Sequence, residues 1–244
     1  MSSTEPERSD ARRTEPIDYL EIRNSDRHFW IIITSEAKHY FPAMAATFLH
    51  TMFGPGARKL QEAAGSRGHY ARMESLAGAA DPLTERELGF ITSRDSFYMA
   101  SITEDGWPYI QHRGGPPGFL RRVEGNRIGF ADFSGNRQYL STANLAADDR
   151  VALFLMDYPN RRRLKLIGHA FSSDDPEIVA ALMPPDYAAA PERAFVIDVT
   201  GFDWNCPQHI TPRFTEAEIT RATEPLRDEL ARLRARIAEL EGKQ

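Results

Sequence analysis

The sequence feature that most constrains the fold is a series of short strand-like runs between Asp95 and Phe202. Apolar and polar residues alternate in SFYMASI and in WPYIQHR, and Glu104-Asp105-Gly106 separates the two runs. Alternating runs on either side of an Asp-Gly turn are typical of a β-hairpin. Further strand-like segments follow at GFLRRV, NRIGFADF, RVALFLMD, RRLKLIGHAF and RAFVIDVTGF.

The predicted β region contains only two helices, at about residues 136–147 and 176–182. Asp175 is the expected N-cap of the second helix, and Pro176 suits its first position. So few helices among so many short strands argue against a parallel α/β sheet and favour an antiparallel barrel, closed or nearly closed. We therefore expect a mainly β (α+β) fold built on a six-stranded antiparallel barrel with flanking helices.

The chain before the barrel divides into two parts. Residues 1–43 open with a polar run that lacks apolar periodicity, and we expect them to be disordered or poorly ordered. Residues 44–82 are expected to form a helical arm of two short helices. Breaks are predicted at the Gly-Pro-Gly run that begins at Gly54 and near Gly65, because Gly and Pro interrupt helices.

The barrel domain is expected to span residues 83–214, and a helix should follow in residues 215–244. Thr84 and Glu87 form a capping box, which predicts an amphipathic helix at the start of the domain. In the C-terminal helix, apolar residues recur at spacings of four and three, as in a heptad repeat. This seam is a little over two heptads long, so packing onto the barrel and pairing with a second chain both stay open. Its residues are Leu226, Leu230, Leu233, Ile237 and Leu240.

Composition excludes several classes of function. The chain has 30 basic and 35 acidic residues, so it offers no broad cationic field for nucleic acid. Its one cysteine, Cys206, excludes an internal disulfide and a four-cysteine zinc site and fits a reducing compartment. No stretch approaches the roughly 20 apolar residues of a membrane span. We expect a cytoplasmic protein whose partners include neither nucleic acid nor membrane.

The segment WPYIQHRGGPPGFL is suited to an anion. Arg113 supplies a guanidinium next to two glycines, whose lack of a side chain lets a ligand approach the backbone. Strand alternation puts Gln111 and Arg113 on one face and His112 on the other. We expect Gln111 and Arg113 to act together only if Ile110 faces the core. The alternative is that Arg113 is a surface charge and His112 an interior histidine.

The segment FADFSGNRQYLSTANLA contains a strand end, a turn and a predicted helix start near Asn136. A helix start offers free N–H groups and the positive end of the helix dipole to a phosphate, and Arg137 and Gln138 would complete the cradle. A basic residue in the first helical turn is unfavourable with respect to the dipole, so it needs a nearby anion. Asp132 is the alternative source of that negative charge.

Two later segments also carry candidate residues. Arg163 and Lys165 alternate with leucines on a strand, and they either add positive charge beside the same phosphate or face solvent. Cys206 and His209 have the spacing of metal ligands or of a Cys–His nucleophilic pair, but the sequence identifies neither further ligands nor an orienting carboxylate. The segment FDWNCPQHITPR is dense in side chains that stack, donate or accept, which indicates a site: Trp204, Asn205, Cys206, Gln208, His209 and Arg213.

Between Leu83 and Arg213, the motifs WPYIQHRGGPPGFL, FADFSGNRQY, RVALFLMDYP and DWNCPQHITPR resemble a bacterial branch of the pyridoxamine 5'-phosphate oxidase-like superfamily. The resemblance implies a split barrel that binds flavin mononucleotide (FMN) in a groove at a dimer interface. The oxidase's Ser-Arg-Lys phosphate motif is replaced here by Ser134-Gly-Asn-Arg137, and its C-terminal substrate motif is not recognisable. By position, the resemblance implies that the cofactor is bound by Gln111, His112, Arg113, Ser134, Asn136, Arg137, Gln138, Lys165, Trp204 and Gln208.

These observations together predict a homodimeric flavoprotein, an oxidoreductase that transfers a hydride or electrons to or from a small organic substrate. We expect Arg113 and Arg137 to bind the phosphate and Lys165 to tune the flavin ring. His209 is the candidate for proton transfer, because histidine titrates near pH 7. The alternatives are a non-enzymatic flavin or haem carrier or sensor, a deazaflavin-dependent reductase, and an interaction module without a cofactor.

Overall fold

The structure is a computed structural model, and it describes residues 18–24, 27–33, 46–204 and 208–242. They belong to two compact units, residues 1–42 and 43–244. In the first unit, two strands pair in antiparallel fashion, β1 (Asp18–Asn24) and β2 (Arg27–Ile33). The sequence predicted no regular structure for residues 1–43, so this hairpin was missed. The rest of that prediction lies outside the described residues.

The second unit is built on one antiparallel sheet of seven strands. The strands lie in the order β4-β3-β7-β8-β9-β6-β5, and the sheet is not closed by backbone hydrogen bonds. Their bounds are β3 (Ser96–Ile102), β4 (Pro108–Gly114), β5 (Arg121–Arg122), β6 (Arg127–Phe133), β7 (Arg150–Asp157), β8 (Arg162–Ser173) and β9 (Pro191–Trp204).

The predicted antiparallel β fold is confirmed, but the strand count of six is wrong. The segment GFLRRV contributes a two-residue edge strand, Arg121–Arg122, which pairs with Gly129 and Ile128 of β6. Phe119 and Leu120 of the same segment are instead buried in the core. The segment therefore fills the interior with its apolar half and extends the sheet with its basic half.

Side-chain alternation gives the sheet an inner face that forms the core. Phe97, Leu155, Leu164 and Trp204 lie opposite one another on four neighbouring strands, and each is at most 5% exposed. The sheet curls around this row, so that strands distant in the order meet through their side chains. The ring centroid of Phe97 on β3 lies 5.3 Å from that of Phe130 on β6, in an edge-to-face contact. The split of the barrel is thus filled with aromatic rings.

Seven helices are described besides the strands. Helix breaks at Gly54 and Gly65 are confirmed, although they separate three helices of the arm rather than two. The capping box of Thr84 and Glu87 is present at the start of α4. The helix bounds are α1 (Ala46–Met52), α2 (Pro55–Ala63), α3 (Arg67–Glu74), α4 (Glu85–Thr92), α5 (Leu140–Ala147), α6 (Pro176–Leu182) and α7 (Glu216–Glu241).

The start of α5 differs from the prediction. The helix begins at Leu140 rather than near Asn136. Arg137 and Tyr139 have φ angles of 57° and 52°, in the left-handed region, which a right-handed helix does not tolerate. The expectation that Arg137 and Gln138 occupy the first turn of this helix was therefore wrong.

The C-terminal helix α7 starts with a second capping box, formed by Thr215 and Glu218. Its five predicted seam residues are each at least 51% exposed, so they do not pack onto the barrel. Among the residues that the structure describes, no helix combines the length and the apolar character needed to cross a membrane.

A buried carboxylate attaches the helical arm to the barrel. Asp81 is 4% exposed and accepts hydrogen bonds of 2.9 Å from the backbone N–H groups of Thr47 and Phe48, in the first turn of α1. The Asp81 backbone N–H donates to the Thr200 carbonyl on β9. A Cβ on Gly201 would come within 2.8 Å of the Phe48 nitrogen, so glycine is needed at this contact. The arm therefore covers the outer face of the sheet at β9.

We predict that Asp81→Ala lowers the free energy of unfolding by about 2 kcal/mol, because it leaves two N–H groups of α1 without their acceptor. Urea unfolding followed by circular dichroism measures the change. Asp174→Ala, at an exposed carboxylate, is the control and should leave the unfolding midpoint unchanged. Equal effects of the two substitutions would contradict this role of Asp81.

Candidate functional site

A cavity of about 270 Å³ lies at the rim of the barrel, where β4 approaches β6 across the split. We call it the split cavity. Three side chains of β4 form one wall, and the end of β6, the start of β9 and the segment leading into α5 form the others. The lining residues are Tyr109, Gln111, Arg113, Asp132, Phe133, Glu192 and residues 135–142.

An ion pair bridges the split. Arg113 on β4 donates from Nη1 to Asp132 Oδ1 on β6 at 2.5 Å, although these strands share no backbone hydrogen bonds. Arg193 lies opposite Asp132 on β9, and its Nε is 3.8 Å from the second carboxylate oxygen. Arg193 also donates from Nη1 to the Thr142 hydroxyl at 3.3 Å. One carboxylate thus lies between two guanidinium groups.

The two guanidinium groups keep unused donors. The Nε atoms of Arg113 and Arg193 are both buried and have no hydrogen-bond partner in the structure. Such orphaned donors are rare and costly in folded proteins. With Arg137 included, the split cavity and its border hold three guanidinium groups against the carboxylates of Asp132 and Glu192. The surplus of positive charge and free donors suits an anionic ligand.

Burial opposes both charges of the ion pair. Desolvation lowers the pKa of Arg113 from its ordinary value, although the nearby Asp132 carboxylate acts in the opposite direction. Desolvation likewise raises the pKa of Asp132, against the effect of Arg113 and Arg193. For both groups, desolvation has the larger effect on the pKa and the attraction of the opposite charge has the smaller one. A buried ion pair of this kind is weak evidence for a gain in stability.

Two of the five non-glycine residues with positive φ in the described parts of the chain lie beside the split cavity. Arg137 and Tyr139, both in the left-handed region, lie in the segment that lines it. The Asn136 side chain accepts a hydrogen bond of 3.1 Å from the Gln138 backbone N–H and so closes a local turn. The Arg193 guanidinium lies over the Tyr139 ring, 4.8 Å from its centroid. Strained residues that persist next to a polar cavity are typical of ligand sites.

A side-chain hydrogen bond orients the amide of Gln111. The Ser141 hydroxyl donates to Gln111 Oε1 at 2.8 Å, which directs the amide NH₂ group away from this contact. Gln111 and Arg113 act on one cavity even though Ile110 is 64% exposed. Our condition that Ile110 must face the core was therefore wrong. Because β4 is an edge strand, its inner face meets the cavity while its outer face remains open to solvent.

The predicted cofactor residues fall into groups. The structure brings Gln111, Arg113, Asn136, Arg137 and Gln138 together around the split cavity. Ser134 is adjacent in sequence but does not line the cavity, and its exposed position is fixed by a backbone hydrogen bond to Ala190.

His112 and Lys165 lie on the outer face of the sheet, away from the cavity-lining side of β4. Cross-strand pairing places His112, Tyr98, Phe154 and Lys165 in one row over four strands. The Lys165 ammonium pairs with Asp203 at 2.6 Å. This pairing keeps Lys165 on the outer face. His112, in contrast, also lines a smaller cavity of about 180 Å³ at the split, together with Arg113 and Asp132.

The C-terminal candidates also lie apart from the split cavity. Trp204 is 5% exposed, donates from Nε1 to Glu87 Oε1 at 2.9 Å, and packs edge-to-face on Phe90. Gln208 and His209 occupy an exposed turn, and neither lines the cavity. Residues 205–207, including Cys206, lie outside the described residues. In the described parts of the chain, no group of three metal-ligating side chains occurs.

Sequence reasoning missed Arg193, Glu192, Tyr109 and Ser141 as candidate site residues. Arg193 was recognised only as part of a strand. Its pairing with Asp132 depends on the contact between β6 and β9, which are about 60 residues apart in the chain. No local pattern carries that information.

The family can now be assigned. Residues 83–203, about half of the chain, match the pyridoxamine 5'-phosphate oxidase family. This chain belongs to the pyridoxamine 5'-phosphate oxidase-like family. The match covers the seven-stranded sheet except Trp204, the last residue of β9, and all the residues that line the split cavity. A comparison with curated proteins gave no match.

Solved structures of low sequence identity share parts of this fold. HupZ from Group A Streptococcus is 11% identical, with a TM-score of 0.40, and the match covers 49% of this chain and 92% of that one. A Clostridium acetobutylicum protein related to general stress protein 26 is 14% identical, with a TM-score of 0.39 and coverages of 56% and 99%. HutZ, the haem storage protein from Vibrio cholerae, is 13% identical, with a TM-score of 0.34 and coverages of 48% and 92%.

We predict that replacing only one residue of the ion pair destabilises the protein more than replacing both residues. Arg113→Met should lower the free energy of unfolding by about 3 kcal/mol, because it strips a buried carboxylate of its closest partner. The double variant Arg113→Met/Asp132→Leu should recover most of that loss, since both charges of the pair are removed and Arg193 keeps its ion pair with Glu192. Urea unfolding of the single and double variants tests this double-mutant cycle. Additive losses of the two single variants would show that Arg113 and Asp132 do not interact and would contradict this prediction.

Proposed function

We propose that this protein is an FMN-binding flavoprotein and an oxidoreductase that acts on a small organic substrate. The observation that carries the proposal is that the buried Nε atoms of Arg113, which lines the split cavity, and of Arg193, at its border, have no hydrogen-bond partner beside a surplus of positive charge. A phosphate monoester supplies the acceptor oxygens that these donors lack. Membership of the pyridoxamine 5'-phosphate oxidase-like family supports a flavin as the molecule that carries the phosphate.

The residues of the split cavity fit the phosphate end of FMN. Arg113, Arg137 and Arg193 provide charge-assisted donors, and Gln111 and Gln138 provide amides. The walls are mainly polar side chains, and they do not offer the broad apolar surface that a flavin ring requires. In this proposal, the ring extends out of the cavity and is covered by a second copy of the chain.

A homodimer supplies that cover in the proposed arrangement. The outer face of the sheet exposes Tyr98, Ile110 and Phe154, which are 40%, 64% and 36% exposed. The helical arm covers this face near β8 and β9, where Phe48 packs on Ile167. An exposed patch of aromatic and aliphatic side chains is typical of a protein interface. His112 and Lys165 on this face would then contact a flavin bound by the partner subunit.

The bound flavin would supply the redox chemistry by accepting or giving a hydride. The protein would bind its phosphate with Arg113 and Arg137, exclude water by dimerisation, and hold a proton on His209. That histidine lies in an exposed turn that follows β9 in the chain. No step here requires a metal.

The visible absorption spectrum of the purified protein tests the cofactor. We expect flavin bands, and heat release of the chromophore should yield FMN by chromatography. A Soret band would replace the proposal with haem binding, and a released deazaflavin would replace it with a deazaflavin-dependent reductase. A colourless protein that binds none of the three when they are added would overturn the proposal.

The phosphate contact is tested by comparing FMN with riboflavin, which lacks the phosphate. Arg137→Ala should weaken FMN binding about ten- to a hundredfold, because a charge-assisted hydrogen bond is lost. The same variant should bind riboflavin as the unmodified protein does. Arg122→Ala, at an exposed arginine away from the split cavity, is the control. Quenching of flavin fluorescence gives both affinities, and unchanged FMN affinity in Arg137→Ala would remove this residue from the phosphate site.

A further inference from the structure

The exposed seam of α7 extends beyond the five leucine and isoleucine residues that were identified from the sequence. Ile219 and Thr223 continue the same spacing towards the start of the helix, and Ile219 is 50% exposed. In heptad notation, the a positions are Thr223, Leu230 and Ile237, and the d positions are Ile219, Leu226, Leu233 and Leu240. The seam therefore spans just over three heptads within one uninterrupted helix.

The rest of the helix surface is consistent with one buried seam. Pro225 lies at a c position, so its ring and the missing hydrogen bond face away from the seam. Arg232 and Glu239 also occupy c positions, where they pair with Glu229 and Arg236 of the same helix at 2.6 Å. The b, c and f positions carry mostly charged or small residues. A polar surface with a single apolar stripe needs one partner helix rather than a surrounding core.

The charged residues beside the seam specify a parallel partner of identical sequence. In a parallel, in-register pair, each g position faces the e position of the following heptad in the other chain. Glu229 (g) then faces Arg234 (e) of the partner subunit, and Arg236 (g) faces Glu241 (e) of the partner subunit. Two-fold symmetry repeats both contacts, so every charged e–g pair in the described helix is attractive.

The antiparallel alternatives are electrostatically worse. In the antiparallel alignment that pairs Thr223 with Leu240 of the partner subunit, Arg227 faces Arg234 of the partner subunit twice. These two repulsive contacts offset two attractive contacts between Glu229 and Arg236 of the partner subunit, whereas the parallel register has attractive contacts only. Shifting that alignment by one heptad in either direction makes Arg227 or Arg234 face its own counterpart in the other chain. Like charges at these positions disfavour a pairing mode. The charge pattern therefore selects the parallel register.

The start of α7 lies next to the exposed outer face of the barrel. Phe214 and Ala217 line a groove together with Tyr98 and Phe154. Tyr98 and Phe154 belong to the exposed patch described above, so the helix and that patch form one continuous surface. A two-fold axis that passes close to this patch would bring the starts of two α7 helices together in parallel.

We propose that α7 forms a parallel, in-register two-stranded coiled coil with α7 of a second copy of this chain. The proposal concerns only the helix and holds whether or not the barrel binds a flavin. It predicts that residues at the same seam position of two chains lie side by side. Residues on the outer surface of the helix should remain far apart.

Disulfide cross-linking of the full-length chain tests the alignment. In a Cys206→Ser background, Leu240→Cys places a thiol in the seam, and Ala235→Cys places one at an outward-facing f position. Copper phenanthroline in air is the oxidant, which removes two electrons and two protons from each pair of thiols. We expect the Leu240→Cys protein to form a covalent dimer and the Ala235→Cys control to remain uncross-linked.

A second pair of variants separates the two directions. Thr223→Cys chains should also cross-link to themselves in a parallel coil. In an antiparallel coil, Thr223→Cys and Leu240→Cys chains would instead cross-link only when they are mixed. Mixed-only cross-linking, or none at either seam position, would overturn the proposal. The flavin absorbance of the same samples reports separately on the cofactor.

Charge reversal tests the register within the same assay. In the Leu240→Cys background, Arg234→Glu should slow cross-linking about tenfold, because it turns two attractive contacts with Glu229 into repulsive ones. Adding Glu229→Arg should restore the rate, since the pair is then attractive again with its signs exchanged. An unchanged rate in Arg234→Glu would show that these charges do not set the alignment.

Discussion

The ion pair between Arg113 and Asp132 closes a barrel that backbone hydrogen bonds leave open. It connects β4 and β6, which lie at positions one and six of the strand order. Beneath it, the rings of Phe97 and Phe130 fill the split and exclude water from the core. The split cavity exists because side chains close this edge and leave room at the rim. The gap in backbone hydrogen bonding between β4 and β6 is therefore also the place where the split cavity forms.

Short-range features of this fold follow from the sequence. The hairpin of β3 and β4, the capping box at Thr84 and the N-cap at Asp175 each depend on residues within a few positions of one another. Strand alternation likewise predicts that Gln111 and Arg113 share a face. The many short strands and few helices favoured an antiparallel barrel, and the resemblance of the strand and turn motifs to one family then specified a split barrel.

Features that depend on closure could not be predicted in this way. Strand alternation predicts that Ile110 and Gln111 face opposite sides of the sheet. It does not predict that both sides of this edge strand lie near solvent. Arg137 and Tyr139 adopt left-handed backbone conformations although neither is a glycine or an asparagine, the residue types that would have indicated such a conformation in the sequence. In the sequence, Trp204 belongs to a polar segment. In the structure it is the last residue of β9, and its ring lies in the core against Glu87. Each outcome depends on contacts between residues far apart in sequence.

The two faces of the sheet differ in the kind of surface that they present, a polar cavity on the inner side and exposed apolar side chains on the outer side. The inner face of β4 points into the split cavity, where burial opposes the charges of Arg113 and Asp132 and leaves donors unused. The outer face and α7 instead expose apolar surface of the kind that is typical of an interface. Because β4 and β3 contribute to both faces, ligand binding and self-association would be coupled through the same two strands. A phosphate that relieves the buried arginines would then stabilise the edge of the sheet on which the proposed dimer depends.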